Sequence, residues 1–340
     1  MINVLLADDS ALTRAVLKDI LSATHDIVVV AEADNGRDAV EMTKALNPDL
    51  VIMDLMMPVM DGLEAIEEIM ARVPTPILVL SATVDEREVS DAFVAIKKGA
   101  LDVMEKPAGG GITKNVAFSV KLIEKIRLLA RIRVIHHHRR RVREAPAPRL
   151  SPVGGRSVLA IGASTGGPKA VMRIVKSLPA DFPAVVFVVQ HIAAGFARGF
   201  SQWLDSESRI KVRLAADGDT FSKGEVLVAP NDSHMTVEQG RIRLLDTPPV
   251  NCCRPSIDVL FQSLAHERGG QMVGVLLTGM GRDGAQGLLH IKEQGGMTIV
   301  QDEESSAVFG MPKAAIGLNA ADEVLSLSRI PEEIVRIFAS

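Results

Sequence analysis

Ser164 stands at the centre of a Gly-x-Ser-x-Gly pattern, Gly162 to Gly166, within the stretch VLAIGASTGGPKAV that spans Val158–Val171. An apolar run leads into the pattern and a helix-like segment leaves it. Such a turn serves two chemistries: glycines let a backbone approach phosphate, or a serine at the apex is presented as a nucleophile. A dinucleotide fingerprint needs glycine where Ser164 stands, and the next apolar run ends in Gln190 and His191 rather than in a ribose-binding acid. A P-loop needs a Gly-Lys-Ser/Thr step that does not follow. The small neighbours Ala163, Thr165 and Gly167 suit a tight turn, and Pro168 suits an early helix position. The stretch reads as a nucleophile elbow.

A serine nucleophile needs a base, and the base needs an orienting acid. His191 directly follows AVVFVVQ, and Asp283 follows the glycine-rich strand-to-turn segment GVLLTGMGR. Taken singly, the histidine suits a structural role and the aspartate an N-cap. Three such features at one edge of one parallel sheet combine as nucleophile, base and orienter. The backbone N–H groups near Thr165 and Met280 are the expected oxyanion donors. Cys252 and Cys253 are adjacent, so a disulfide between them closes almost no loop. With no base evident beside them, they read as packing or loop residues. Ser256 is expected to cap a helix with Asp258 in its first turn. Arg254 reads either as part of that capped segment or as a contact for an acidic surface.

A second constellation lies nearer the N-terminus. Asp8 and Asp9 follow one apolar run, Asp54 another, Ser81 a third and Lys106 a fourth. Clustered acids call for a hard cation, and Mg²⁺ suits oxygen ligands. Acids, a hydroxyl and an ammonium at four strand ends fit an aspartate that accepts a phosphoryl group, with Asp54 as nucleophile.

Both constellations need parallel sheets to assemble them. Apolar runs at 2–7, 27–31, 49–53, 76–80 and 100–104 alternate with helical spacing, which predicts a doubly wound, flavodoxin-like α/β domain over 1–125 with five parallel strands. Runs at 157–161, 184–189, 226–229, 272–277 and 297–300 predict a second doubly wound, Rossmann-like α/β domain over 156–340, with short hairpin segments around 211–245. In such sheets the site lies at the carboxyl ends of the strands. Residues 126–155 are expected to link the domains. The segment 131–155 holds seven arginines, three histidines and three prolines, and it reads as a solvated hinge in preference to a docking patch for acidic lipid or RNA.

Composition narrows the class of function. Of the 340 residues 47% are hydrophobic but only 3% aromatic, so the cores must be aliphatic and platforms for stacking nucleic-acid bases are lacking. A net charge of -4 argues against a polyanion partner for the whole chain. The longest apolar runs are strand-sized, so membrane insertion is not expected, and two cysteines suit a reducing cytoplasm. A DNA-binding output would call for a helix-turn-helix and a basic domain, and neither is evident.

On ADDS, MDLMMPVMDG, LSA and EKP the first domain resembles a response-regulator receiver domain. The resemblance implies that Asp54 takes phosphate from a histidine kinase. It also implies that Asp8, Asp9, Asp54 and the backbone carbonyl of Met56 hold Mg²⁺, with Ser81 and Lys106 answering the phosphoryl group. Val103 stands where that family often carries an aromatic switch residue. On IGASTGGP, VVQHI, RPSIDVLF and LTGMGRDGAQG, over about 156–338, the chain resembles the catalytic domain of the chemotaxis protein-glutamate methylesterases, the CheB family. That resemblance implies a triad of Ser164, His191 and Asp283. It implies removal of methyl groups from chemoreceptor glutamate γ-esters and deamidation of receptor glutamines, with no cofactor in the catalytic domain. It further implies that an unphosphorylated receiver blocks the catalytic cleft and that phosphorylation opens it.

Overall fold

A computed structural model describes residues 1–81, 86–107, 115–132 and 155–339. The chain divides into two units, Met1–Arg143 and Glu144–Ser340. Most of the expected linker, including the histidine triplet and the arginine run, lies outside the described residues.

In the first unit five strands alternate with helices: β1 (Ile2–Ala7), α1 (Ala11–Ser22), β2 (Ile27–Ala33), α2 (Gly36–Leu46), β3 (Leu50–Asp54), α3 (Gly62–Arg72), β4 (Ile77–Ser81), α4 (Glu86–Lys98), β5 (Asp102–Glu105) and α5 (Val116–Leu129). All pairings are parallel, in the order β2-β1-β3-β4-β5. Every residue of β3 and β4 is buried, which is why they read as unbroken apolar runs. Val4, Leu6, Ile52, Leu78 and Leu80 pack with Phe118, Leu122, Ile126 and Leu129 of α5. That helix therefore contributes core residues beyond position 125.

The order of the sheet reverses between β1 and β3, so their carboxyl ends, carrying Asp8 and Asp54, are neighbours. Local chemistry fixes both ends. Ser10 caps α1 by accepting from the Thr13 N–H, and Asp61 caps α3 by accepting from the Glu64 N–H. Gly62 lets the start of α3 press against β3, since a Cβ there would lie 2.1 Å from the carbonyl oxygen of Asp54.

The second unit begins with β6 (Val158–Ala163), α6 (Gly167–Ser177), β7 (Val185–Gln190), α7 (Phe196–Glu207), β8 (Lys211–Leu214) and β9 (Glu225–Val228). A hairpin follows, β10 (His234–Glu238) and β11 (Arg241–Leu245), and then α8 (Ile257–Arg268) and β12 (Met272–Leu276). The chain ends with α9 (Ala285–Glu293), β13 (Met297–Gln301), α10 (Met311–Gly317), β14 (Glu323–Leu325) and α11 (Ile330–Ala339). Seven strands form one parallel sheet in the order β14-β13-β12-β6-β7-β9-β8.

The expected hairpins around 211–245 are corrected in part. Of the strands described over 211–245, only β10 and β11 pair antiparallel. β8 instead joins the main sheet as a parallel edge strand against β9. Of its four residues KVRL only Val212 is buried, and so short an edge strand carries no periodic signal of its own partner. The chain order reverses between β6 and β12, which puts the expected site at their carboxyl ends. The Ser164 N–H donates to the Thr278 carbonyl (3.0 Å) and the His191 N–H to the Ala163 carbonyl (2.9 Å), binding three strand ends into one rim.

Candidate active site

Ser164 is the first residue after β6. The turn that carries it places its left-handed step at Gly166 (φ 73) and not at the serine, so the backbone strain of a hydrolase elbow is borne by glycine. A Cβ at Gly166 would lie 2.5 Å from the Ala307 methyl. Across the rim, a Cβ at Gly279 would lie 2.6 Å from the Ser164 Cβ. Glycine is therefore required on both sides of the serine. The Ser164 carbonyl accepts from Gln190 Nε2 (2.8 Å) and from the Gly167 N–H (2.8 Å), which fixes the turn against β7. The backbone N–H groups of Thr165 and Met280 make no hydrogen bond among the described residues. Thr165 is buried, and Met280 is exposed.

His191 and Asp283 are brought together. Nε2 of His191 lies 2.9 Å from Oδ2 of Asp283. A carboxylate only accepts, so Nε2 carries the proton and Nδ1 of the neutral ring is the free base. Burial would lower the imidazole pKa, but the bonds to Asp283 and Cys253 outweigh it and push the pKa up from 6.5 to about 9. Ser164 Oγ makes no hydrogen bond to His191 among the described residues. The near neighbour of Nδ1 is Cys253 Sγ, at 3.7 Å.

That neighbour corrects the reading of Cys253 as a residue without a base. Asn251 (φ 51) and Cys252 (φ 62) both take left-handed conformations, and the tight turn swings Cys253 toward the rim while Cys252 stays exposed. Nothing in the sequence spacing of residues 191 and 253 announces the contact.

Asp283 is 2% exposed, and all its acceptor capacity is used. Oδ1 accepts from Ser256 Oγ (2.7 Å) and Asn251 Nδ2 (3.0 Å); Oδ2 accepts from the Ile257 N–H (2.7 Å) and His191. The carboxylate thus sits on the N-terminus of α8, where backbone N–H groups and the helix dipole favour negative charge. Burial raises its pKa, but the His191 bond and those from Asn251 and Ser256 hold it below the usual carboxylate range. Asp283 is not the cap of its own helix, because Gly284 holds the N-cap position of α9 and no side chain bonds there.

The supporting residues were missed or half read in the sequence. Ser256 caps α8 as expected, yet its hydroxyl also holds Asp283. Its N–H donates to Nδ1 of the fully buried His234 (3.1 Å), whose Nε2 donates to the Pro248 carbonyl (3.1 Å). Asn251 bridges Asp283 to Asp258, and Asp258 also accepts from the Gly287 N–H (2.6 Å). Burial and the Asp283 charge raise the Asp258 pKa against those bonds. Arg254 pairs with Asp246 (2.6 Å) at the surface.

In the first unit, carboxylate oxygens of Asp8, Asp9 and Asp54 lie within 4.8 Å of one another. Lys106 Nζ reaches Asp8 Oδ2 (2.7 Å) and Asp54 Oδ2 (2.9 Å). Arg14 holds the carbonyls of Asp8 (2.6 Å) and Asp9 (3.3 Å). Burial, then the charge of Asp8, raise the Asp54 pKa against the pull of Lys106. Burial would lower the Lys106 pKa, but the two carboxylates raise it. Ser81 is buried at the end of β4, and its carbonyl accepts from the Lys106 N–H (2.9 Å). Met56 stands exposed two residues beyond Asp54, and Val103 is buried in β5. An all-oxygen donor set of three acids, beside an ammonium that balances only part of their charge, fits Mg²⁺.

A parallel sheet with a Lys-bridged acid cluster, followed by a parallel sheet with serine, histidine and aspartate at its rim, defines a response regulator with an α/β output unit of hydrolase type. Residues 159–334 match the family model of the CheB methylesterase, and residues 4–114 that of the response regulator receiver domain. A protein-glutamate methylesterase/protein-glutamine glutaminase of Anaeromyxobacter dehalogenans is 47% identical over 98% of this chain and 96% of its own length. One of Pyrococcus horikoshii is 41% identical over 98% of this chain and 93% of its own length. The catalytic domain of the Thermotoga maritima CheB methylesterase is 37% identical, covers 54% of this chain and 98% of that structure, and aligns with a TM-score of 0.52. The chain belongs to the CheB methylesterase family. Among the described residues no helix is long and apolar enough to cross a membrane.

Proposed function

We propose that the chain is a phosphorylation-activated protein-glutamate methylesterase, and a glutamine deamidase by the same route, acting on chemoreceptors. The observation that carries this reading is the His191–Asp283 bond at the rim that bears Ser164. Ser164 Oγ attacks the γ-carbonyl carbon of the ester, and its proton passes to His191 Nδ1, the nitrogen left free by Asp283. The Thr165 and Met280 N–H groups receive the oxyanion. His191 returns the proton to the leaving oxygen, so methanol departs and an acyl-serine remains. Water, deprotonated by His191, then attacks the acyl carbon and releases glutamate. A glutamine amide follows the same path with ammonia as the leaving group. Asp283 holds the imidazole tautomer and stabilises the imidazolium throughout.

Control comes from the receiver. Asp54 accepts the phosphoryl group from a histidine kinase, forming an acyl phosphate, and Lys106 and Ser81 face it. Asp8, Asp9, Asp54 and the Met56 carbonyl would hold Mg²⁺, which supplies charge neutralisation for the transferring group. The phosphorylated aspartate gains negative charge and acceptor oxygens, which biases a two-state response. Two free cysteines suit a reducing cytoplasm.

The test is methanol release from methylated chemoreceptor, with and without acetyl phosphate and Mg²⁺. Wild type is expected to release methanol faster with the phosphodonor. Asp54→Ala should lose that stimulation, and Ser164→Ala should lose release itself. Undiminished release by Ser164→Ala would sink the catalytic assignment; equal stimulation of Asp54→Ala would sink the control.

A further inference from the structure

The free nitrogen of His191 has a thiol beside it. Nδ1 and Cys253 Sγ are 3.7 Å apart. An ion bound at Zn–N and Zn–S lengths in tetrahedral geometry spans donors about 3.5 Å apart, so the pair needs only a slight adjustment. His191 is already oriented as metal-binding imidazoles are, with its other ring nitrogen donating to a buried carboxylate. His191, Cys253 and Asp283 group as metal-capable side chains, with one donor atom from each lying within 4.8 Å. Asp283 is committed to Ser256, Asn251, Ile257 and His191, which leaves it as the outer support of the ring and not as a ligand. Cys253 is partly exposed, so an ion can reach the pair from solvent.

We propose that His191 and Cys253 form a reversible binding site for thiophilic divalent cations, Zn²⁺ foremost, and that its occupation switches off hydrolysis. Two protein donors and water give a weak, exchangeable site, unlike a closed structural centre. The thiol loses its proton to solvent, and the ion takes the Nδ1 lone pair that would accept the Ser164 proton. The inhibition rests on His191 being the base; the binding does not. Ligand hardness separates the two units. Thiolate and imidazole select Zn²⁺ over Mg²⁺, whereas the receiver's carboxylates select Mg²⁺. Mg²⁺ for phosphorylation therefore leaves the output site empty, and Zn²⁺ bound there stops output downstream of the phosphate.

The full-length protein, without phosphodonor, is titrated with Co²⁺ as a spectroscopic substitute for Zn²⁺. Wild type and Cys252→Ser are expected to develop a thiolate-to-cobalt charge-transfer band that Zn²⁺ abolishes, and Cys253→Ser to show none. Oxygen and histidine sites elsewhere in the chain do not produce that band. Zn²⁺ should inhibit ester hydrolysis by wild type at a concentration on the order of tenfold or more below that needed for Cys253→Ser, each compared with its own metal-free rate. As a check that does not depend on the folding of Cys253→Ser, Zn²⁺ should protect Cys253 of the Cys252→Ser protein from iodoacetamide. No band in wild type, a band retained in Cys253→Ser, or no protection overturns the site. A band without any hydrolysis by the metal-free protein leaves the site standing and overturns the functional reading instead.

Discussion

Asp54 and Asp283 are both buried carboxylates at the carboxyl edge of a parallel sheet, and their surroundings drive their acidities in opposite directions. Asp54 has Asp8 and Asp9 within reach, a single bridging lysine and one backbone donor, the Leu55 N–H. Its pKa is raised. Asp283 has a helix N-terminus, a hydroxyl, an amide and an imidazole, and its pKa is lowered. The first arrangement leaves excess negative charge, as a site must if it is to receive a cation and react. The second surrounds its charge with fixed donors, as a site must if its acid is to orient a base and never itself take part. Burial is similar in the two; the difference lies in whether fixed donors or like charges surround the carboxylate.

The strongest break in that comparison is Asp283→Asn. The amide presents an N–H₂ group where Ser256, Asn251 and Ile257 all donate, and it cannot hold the imidazole tautomer. Methyl ester hydrolysis should fall by about 10⁴-fold while phosphorylation of Asp54 by acetyl phosphate is unchanged. The residual pH profile carries a sign. His191 must be neutral to act, and Asp283 raises its pKa against burial. Without the carboxylate the acid limb of kcat/KM should move to lower pH. A limb that stays in place would separate Asp283 from His191 in solution. Next in size are two glycine substitutions, one per site. Gly279→Ala pushes a methyl into the Ser164 Cβ, and displacement of the nucleophile should lower kcat about 10²-fold. Gly62→Ala pushes a methyl into the Asp54 carbonyl and should slow phosphorylation with no change in unstimulated hydrolysis.

How far the sequence led differs between the two sites for physical reasons. Asp8, Asp54, Lys106, Ser164 and His191 all stand where an apolar run ends, and a parallel sheet converts that one-dimensional mark into a shared edge. The five strands of the first sheet and the five inner strands of the second were legible for the same reason, whereas the edge strands β8 and β14 were not. Asn251, Cys253, Ser256 and His234 reach the site from a turn and a hairpin. Their positions depend on left-handed backbone at Asn251 and Cys252 and on the docking of α8, neither of which has a period. Ser256 was readable as a cap because capping is local, but its bond to Asp283 spans 27 positions and is not. β8 was misassigned because four residues at a sheet edge carry no signal of which partner they pair with.

A smaller effect tests whether those unread residues matter. Ser256→Ala removes the hydroxyl from Asp283 Oδ1 but keeps the N–H that bonds His234 and the backbone of α8. Hydrolysis should fall about tenfold, the scale of one hydrogen bond to a charged group. A kcat unchanged within twofold would show that Asn251 and Ile257 hold Asp283 without it, since such a change is under about 0.5 kcal/mol.

The smallest effect gives the comparison its sharpest form, because the same substitution should act with opposite sign at the two sites. The folded state raises the Asp54 pKa, so above the ordinary carboxylate value of 3.8 the unfolded chain gives up that proton more readily, and ionised Asp54 costs stability as pH rises. The folded state lowers the Asp283 pKa, so ionised Asp283 contributes stability above 3.8 that is lost on acidification. In chelated buffer at neutral pH, Asp54→Asn should therefore raise the unfolding free energy of the receiver, read from its urea transition, by about 1 kcal/mol. Asp283→Asn should lower that of the output unit by about 1–3 kcal/mol, because it leaves buried donors facing an amide. If Asp54→Asn destabilises the receiver, then Lys106 outweighs burial and Asp8 at that site, and the two carboxylates are held alike after all.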